Sequence, residues 1–214
     1  MGLIAKETGG TSFSPVAAGV HQAVCYLVCD LGTHDDEYQG RHKDRHEVVI
    51  GWEIPGERIT VERDGQNVDL PRAISNRYTL SLGGKANLRR DLEAWRGKEF
   101  TAEELAGFDL ATVVGANCLL QVVHKAKQDG STRAAISSIM ALPKGTKRVK
   151  GENEPQYWSI EDGTDIPDNL PEWIVGVIQE SYEWKARQGE VRSDADEGEP
   201  PEDMASDGDD DLPF

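Results

Sequence analysis

The segment NRYTLSLGGKANLRRDLEAWR, Asn76 to Arg96, changes its hydrophobic period halfway along. In its first part Tyr78, Leu80 and Leu82 alternate with Arg77, Thr79 and Ser81, the two-residue period of a half-buried strand over Asn76–Leu82. In its second part Leu88, Leu92 and Trp95 recur at spacings of four and three, which predicts a helix over Lys85–Arg96. Upstream, Val16–Asp30 (VAAGVHQAVCYLVCD) is too β-branched for a good helix and predicts a long strand. Glu47–Ile54 (EVVIGWEI) predicts a second. Between them Leu31–Arg45 reads as a long charged loop, and Pro55–Leu70 has the character of a hairpin turning at Asp64-Gly65. Downstream, Thr101 with Glu103 and Glu104 starts a short helical turn. Asn117–Lys125 and Thr132–Leu142 form a hairpin around Gln128–Ser131. Pro143–Glu154 is a polar, basic loop and Gln156–Ile160 a short extended piece. Pro171–Gln188 predicts one helix, with Trp173, Ile174, Val177, Ile178 and Tyr182 as its apolar stripe.

Three strands, a helix and then a two-strand hairpin is the order of a five-stranded Greek-key barrel, the OB-fold. The expected class is therefore mainly β with added helices, one domain over residues 1–189 carrying a C-terminal helix. In that architecture nucleic acid crosses strands two and three and the loops joining strands 1–2 and 4–5. On this map Trp52, Arg77 and Tyr78 lie on the binding face, and Lys125–Ser131 forms the 4–5 loop.

Charge is segregated along the chain. The 214 residues carry 23 Lys and Arg against 39 Asp and Glu, a net charge of −16 that by itself argues against a phosphate ligand. Residues 190–214 account for −10 of this, leaving −6 on residues 1–189. Residues 72–98 are net +5, from Arg72, Arg77, Lys85, Arg89, Arg90, Arg96 and Lys98 against Asp91 and Glu93. Residues 124–150 are net +6, from Lys125, Lys127, Arg133, Lys144, Lys147, Arg148 and Lys150 against Asp129. A phosphate backbone responds to the field within a Debye length of ~8–10 Å, so the local sign outweighs the total. Strand order and charge position thus indicate the same surface. The candidate DNA contacts are Trp52, Arg77, Tyr78, Lys85, Arg89, Arg90, Lys125, Lys127, Arg133, Lys144, Lys147, Arg148 and Lys150. Tyr26 and Trp158 are further aromatic candidates for stacking on bases.

Other chemistry finds no foothold. Gly83-Gly84-Lys85-Ala86 lacks the spacing and the hydroxyl of a phosphate loop. His34, Asp35, Asp36, His42 and His46 fall in the charged loop without a Cys or an H-E-x-x-H spacing, so no metal and no cofactor is expected. No catalytic residue is assigned and no enzyme is expected. Cys25 and Cys29, placed on one strand face ~13 Å apart, and Cys118 read as buried free thiols. No apolar run approaches the ~18 residues of a membrane helix, and Met1–Gly19 lacks the regions of a secretory signal, so a cytoplasmic protein is expected.

From Gly189 onward Asp, Glu, Gly, Pro and Ser predominate, a composition that cannot bury a core and predicts a disordered acidic tail. It ends in Asp209, Asp210, Asp211, Leu212, Pro213 and Phe214. A terminal Phe carrying its own carboxylate behind a run of Asp makes a compact peptide ligand for an apolar pocket with a basic rim. This terminus resembles the C-terminal tip of bacterial single-stranded DNA-binding proteins, while the body looks more like a phage- or prophage-encoded member of that class. The resemblance implies a non-enzymatic protein that coats single-stranded DNA without sequence preference in replication, recombination and repair. Through Asp209–Phe214 it would recruit other proteins of those processes. It leaves homo-oligomerisation open. The alternative class is an acidic interaction protein or DNA mimic that binds a basic protein partner. That class predicts acids spread over a folded face, whereas here most of the charge lies in the tail.

Overall fold

The computed structural model describes residues 14–38, 41–63, 65–127, 130–163 and 165–189. Five antiparallel strands run β1 Gly19–Tyr38, β2 Arg41–Arg63, β3 Gln66–Thr79, β4 Asn117–Ala126 and β5 Thr132–Met140. They lie side by side in the order β3-β2-β1-β4-β5. Between β3 and β4 come α1 Asn87–Arg96 and α2 Ala102–Ala106, followed by a 3-10 turn at Leu110–Val113. The sheet curls until β3 nears β5, with Cα atoms within 8 Å. The mainly β, OB-like fold expected from strand order is the one observed. After it, β6 Gln156–Trp158 pairs in parallel with β1, and α3 Glu172–Gln179 and α4 Tyr182–Arg187 close the described chain. Among the described residues no helix is long and apolar enough to cross a membrane.

Strands of 20 and 23 residues cannot stay flat, and β-bulges bend them. Register breaks fall between Cys25 and Leu27, between Asp30 and Gly32, and between Ile54 and Arg58. Gly32 shows why a glycine is needed at the second: its φ is +77°, and a Cβ there would meet the Ser181 side chain at 2.5 Å.

The bulge after Cys25 also corrects the cysteine placement. One extra residue reverses which face later side chains occupy. Cys25 therefore points into the barrel core with Cys118, while Cys29 lies in a second core on the outer face. All three thiols are free and buried. Burial pushes Cys25 and Cys29 up to about 12, with the Asp30 charge adding to the effect at Cys29.

Both faces of β1 and β2 are covered. Inside the barrel, Trp52, Ile50, Val28, Leu120 and Val122 pack on Leu88, Leu92 and Trp95 of α1. Trp95 donates its indole N–H to the Asn117 carbonyl at 3.0 Å, and its ring lies 5.6 Å from that of Trp52. Outside, Leu27, Cys29, Leu31 and Val49 pack on Trp158, Ile160, Leu170, Ile174 and Ile178. This two-sided burial is why β1 reads as a nearly continuous apolar run.

Two other expectations change. Leu31–Arg45 is not a loop but the paired end of the β1–β2 hairpin, in register from Gly32↔Glu47 to Tyr38↔Arg41. The expected helix over Pro171–Gln188 breaks at Glu180 and Ser181, because buried Ser181 turns to cap α4, its Oγ accepting from the Trp184 N–H at 3.2 Å. The Thr101 start is observed as a full capping box with Glu104. Of the Asp64-Gly65 turn, Gly65 is described with φ +74° and Asp64 lies outside the described residues. So do Gln128 and Asp129, and the whole of residues 190–214, including Asp209–Phe214.

Candidate nucleic-acid interface

A cavity of about 690 Å³ lies along the seam where β3 approaches β5. β2 supplies Arg45 and Glu47, β3 supplies Asn76, Arg77 and Tyr78, the β3–α1 link supplies Lys85, and α1 supplies Arg90 and Asp91. Four cations thus meet two carboxylates in the lining, and Arg45 pairs with Asp36 outside it. Arg77 pairs with Glu47, and Arg90 pairs with Asp91 at 2.9 Å. Lys85 is exposed and has no ion pair among the described residues. Arg89 lies outside this cleft, half-buried and paired with Glu93 at 3.0 Å one helical turn on.

The β4–β5 hairpin carries a sharper signal. Lys125 lies directly opposite Arg133 in the ladder. Opposed residues share a face with Cβ atoms ~5 Å apart, and like charges there destabilise the pair. Among the described residues neither side chain has an ion-pair partner, nor has Lys127 beside them, and all three are exposed.

A third group sits on the loop after β5. Lys144, Lys147, Arg148 and Lys150 are all exposed, yet the loop that carries them is pinned. Asn117 exchanges two hydrogen bonds with Val149, and Gln22 donates to the Lys147 carbonyl at 2.8 Å. The fully buried Glu53 carboxylate accepts the backbone N–H groups of Glu152 and Asn153 at 2.7–3.0 Å, and the Asn153 side-chain amide at 2.6 Å. Lys144 and Arg148 line a cleft of about 590 Å³ together with Arg96 and Lys98, and no acidic side chain lines it. Arg96 is held in place by Glu104 and by the rings of Phe100 and Phe108, 4.3 and 5.1 Å from its guanidinium carbon. Arg96 and Lys98 belong to the basic stretch of the sequence but not to the residues expected at the interface. What assigns them to this cleft is a loop some fifty residues on in the chain.

The aromatic candidates fare differently. Trp52 is 0 % exposed and cannot stack on a base, because position 52 faces the barrel interior and its ring is spent on Trp95. Tyr78 is 4 % exposed. Its hydroxyl donates to Asp91 at 3.1 Å at the floor of the seam cleft, and burial pushes the phenol well above its ordinary range. Trp158 is buried in the outer core, donating its N–H to the Asp165 carbonyl at 3.1 Å. Tyr26, half-buried, lines a cavity of about 390 Å³ with Arg148 and Lys150. Sequence reasoning missed Tyr157, which is 48 % exposed. Strand alternation could have found it, since Trp158 facing inward turns its neighbour outward.

The His and Asp residues of the β1–β2 hairpin are consumed in local pairs, His42 with Asp35 at 2.8 Å and His46 with Asp30 at 2.7 Å. Among the described residues no group of His, Cys, Asp and Glu is arranged to hold a metal ion. Compared with known proteins, the chain matches no family model and no curated sequence.

Proposed function

We propose that this protein binds single-stranded DNA with little sequence preference, in the protection of strands exposed during replication, recombination and repair. We propose also that its Asp209–Phe214 tip recruits partner proteins. The observation that carries the reading is the juxtaposition of Lys125 and Arg133, with Lys127 beside them and no ion-pair partner among the described residues, at the β4–β5 end of an OB-like barrel. Like charges opposed across a ladder destabilise it, and a phosphate bound between them would relieve that cost. The seam cleft and the pinned loop add cations at two further places on the same body, which suits a flexible strand following a curved surface better than a stiff duplex. A gel shift with labelled oligo(dT), with and without Mg²⁺, tests the reading. An intact, shifted oligonucleotide with weaker shift of duplex supports it. An unshifted one points to a DNA mimic, and a degraded one to a nuclease.

A further inference from the structure

Four large hydrophobic side chains stand exposed among the described residues, namely Val20, Leu80, Tyr157 and Trp173. Two of them, Leu80 and Tyr157, line one cavity of about 200 Å³ at the mouth of the barrel. Phe108 adds a further apolar wall, and the polar groups are Asp30, His46, Asp109, Ser159 and Glu161. At this size it falls below the ~300–1,000 Å³ of drug-sized sites, and fits a single small ring. Its charge excludes a phosphate. Partial burial first, and then the carboxylates of Asp109, Asp162, Asp30 and Glu161, push the Tyr157 phenol above its ordinary value. Glu161 makes no side-chain hydrogen bond among the described residues, so its acceptor oxygens are open.

The cavity also has a fixed relation to the seam cleft. Arg45, Glu47, Thr79 and Ser81 line the cleft, while the intervening His46 and Leu80 line the cavity. The two sites therefore share the strand segments around His46 and Leu80, whose alternating side chains face the cleft and the cavity in turn.

We propose that this cavity seats one unstacked nucleobase on the Tyr157 ring, and favours bases whose exocyclic amino group can donate to Glu161 or Asp109. The assignment rests on the single-strand reading above. It adds a base-contacting site built outside the five-stranded barrel, because Tyr157 comes from β6 and Glu161 from the turn after it. Aromatic stacking and acceptor oxygens are complementary here: any base offers a π-face, but only cytosine, adenine and guanine offer the amino donor.

The test compares the full chain with Tyr157→Ala and Tyr157→Phe. Fluorescence anisotropy would use labelled oligo(dC) and a fully abasic oligomer of equal length. Saturation-transfer NMR would use deoxycytidine and thymidine. The expected result is a loss of roughly fivefold or more in oligo(dC) affinity for Tyr157→Ala, with abasic binding and the salt slope unchanged. Tyr157→Phe should retain the wild-type affinity, and a deoxycytidine signal stronger than that of thymidine should vanish in Tyr157→Ala. Oligo(dC) binding indifferent to Tyr157→Ala would overturn the base seat while leaving the single-strand reading standing. Equal nucleoside signals would overturn the amino-group preference. If no oligomer binds, the single-strand reading fails by itself. The Tyr157-dependent deoxycytidine signal then decides the cavity, and its absence overturns that too.

Discussion

Asp30 is almost fully buried, and burial by itself would raise its pKa. The hydrogen bond from His46, the Gly32 N–H at 2.9 Å and the Ile160 N–H outweigh that and hold the carboxyl below its ordinary range. The same hydrogen bond to Asp30 raises His46, against partial burial and with help from the charges of Asp30, Glu183 and Glu161. The depressed carboxyl stabilises the fold above its ordinary value of 3.8, and this is lost as pH falls through the folded value. The raised imidazole stabilises it below 6.5, and this is lost as pH rises through the folded value. One interaction thus contributes fully between those two pH values and fades on both sides. Thermal melts across the pH range for the wild type and His46→Gln should differ most inside that window, and a difference independent of pH would remove the pair as its source. Glu53 offers a second test. Glu53→Ala strips three donors at Glu152 and Asn153 of their acceptor, an expected loss of about 1–3 kcal/mol. Limited proteolysis should then cut near Lys147 and Lys150 much faster than in the wild type, because those donors pin the basic loop.

At the scale of elements, α1 was legible because Leu88, Leu92 and Trp95 share one stripe and all three are buried. The β4–β5 hairpin was legible because its turn residues separate two apolar runs. Trp52 was misplaced for a physical reason. Alternation names two faces of a strand, and when both are packed, as in β2, it cannot say which one is the barrel interior. Leu31–Arg45 was missed because its pairing is held by backbone hydrogen bonds between polar strands, with almost no apolar pattern to mark it. The clefts were legible only as charge. That Arg96 meets Arg148 depends on how α1 lies against the chain after β5, which no local pattern encodes. The hairpin yields its own prediction. Reversing Lys125 and Lys127 to Glu should weaken single-stranded DNA binding and make the log–log salt dependence shallower by ~0.7 for each phosphate that is no longer neutralised. Both sites are exposed, and Glu at 125 would face Arg133 as an opposite charge, so melting should stay the same or rise by the equivalent of up to ~1 kcal/mol. Unchanged affinity in the folded variant would remove the hairpin from the interface.

Over the whole molecule the net charge of −16 divides into −6 on residues 1–189 and −10 on residues 190–214. The tail is tethered to Gly189 at the end of a body bearing two clefts lined by surplus cations. A tethered segment acts at an effective concentration of order mM, so under the proposed function the acidic tail would compete with DNA phosphates for those cations. Deleting residues 190–214 should tighten single-stranded DNA binding most at low salt, and the gain should shrink as added salt screens the competition. Phe214→Ala separates the tail's two proposed roles. It leaves the charge intact, so DNA affinity should stay at the wild-type value, while capture of replication and repair proteins is lost along with the aromatic anchor. Paired titrations of the full chain, the truncated chain and Phe214→Ala, at low and high salt, together with pull-downs, make the measurement. Weaker DNA binding on truncation would mean that the tail contributes to the interface instead of opposing it. Partner capture indifferent to Phe214 would reduce the Asp-Leu-Pro-Phe terminus to a solubilising appendage, and the proposed recruitment would fall with it.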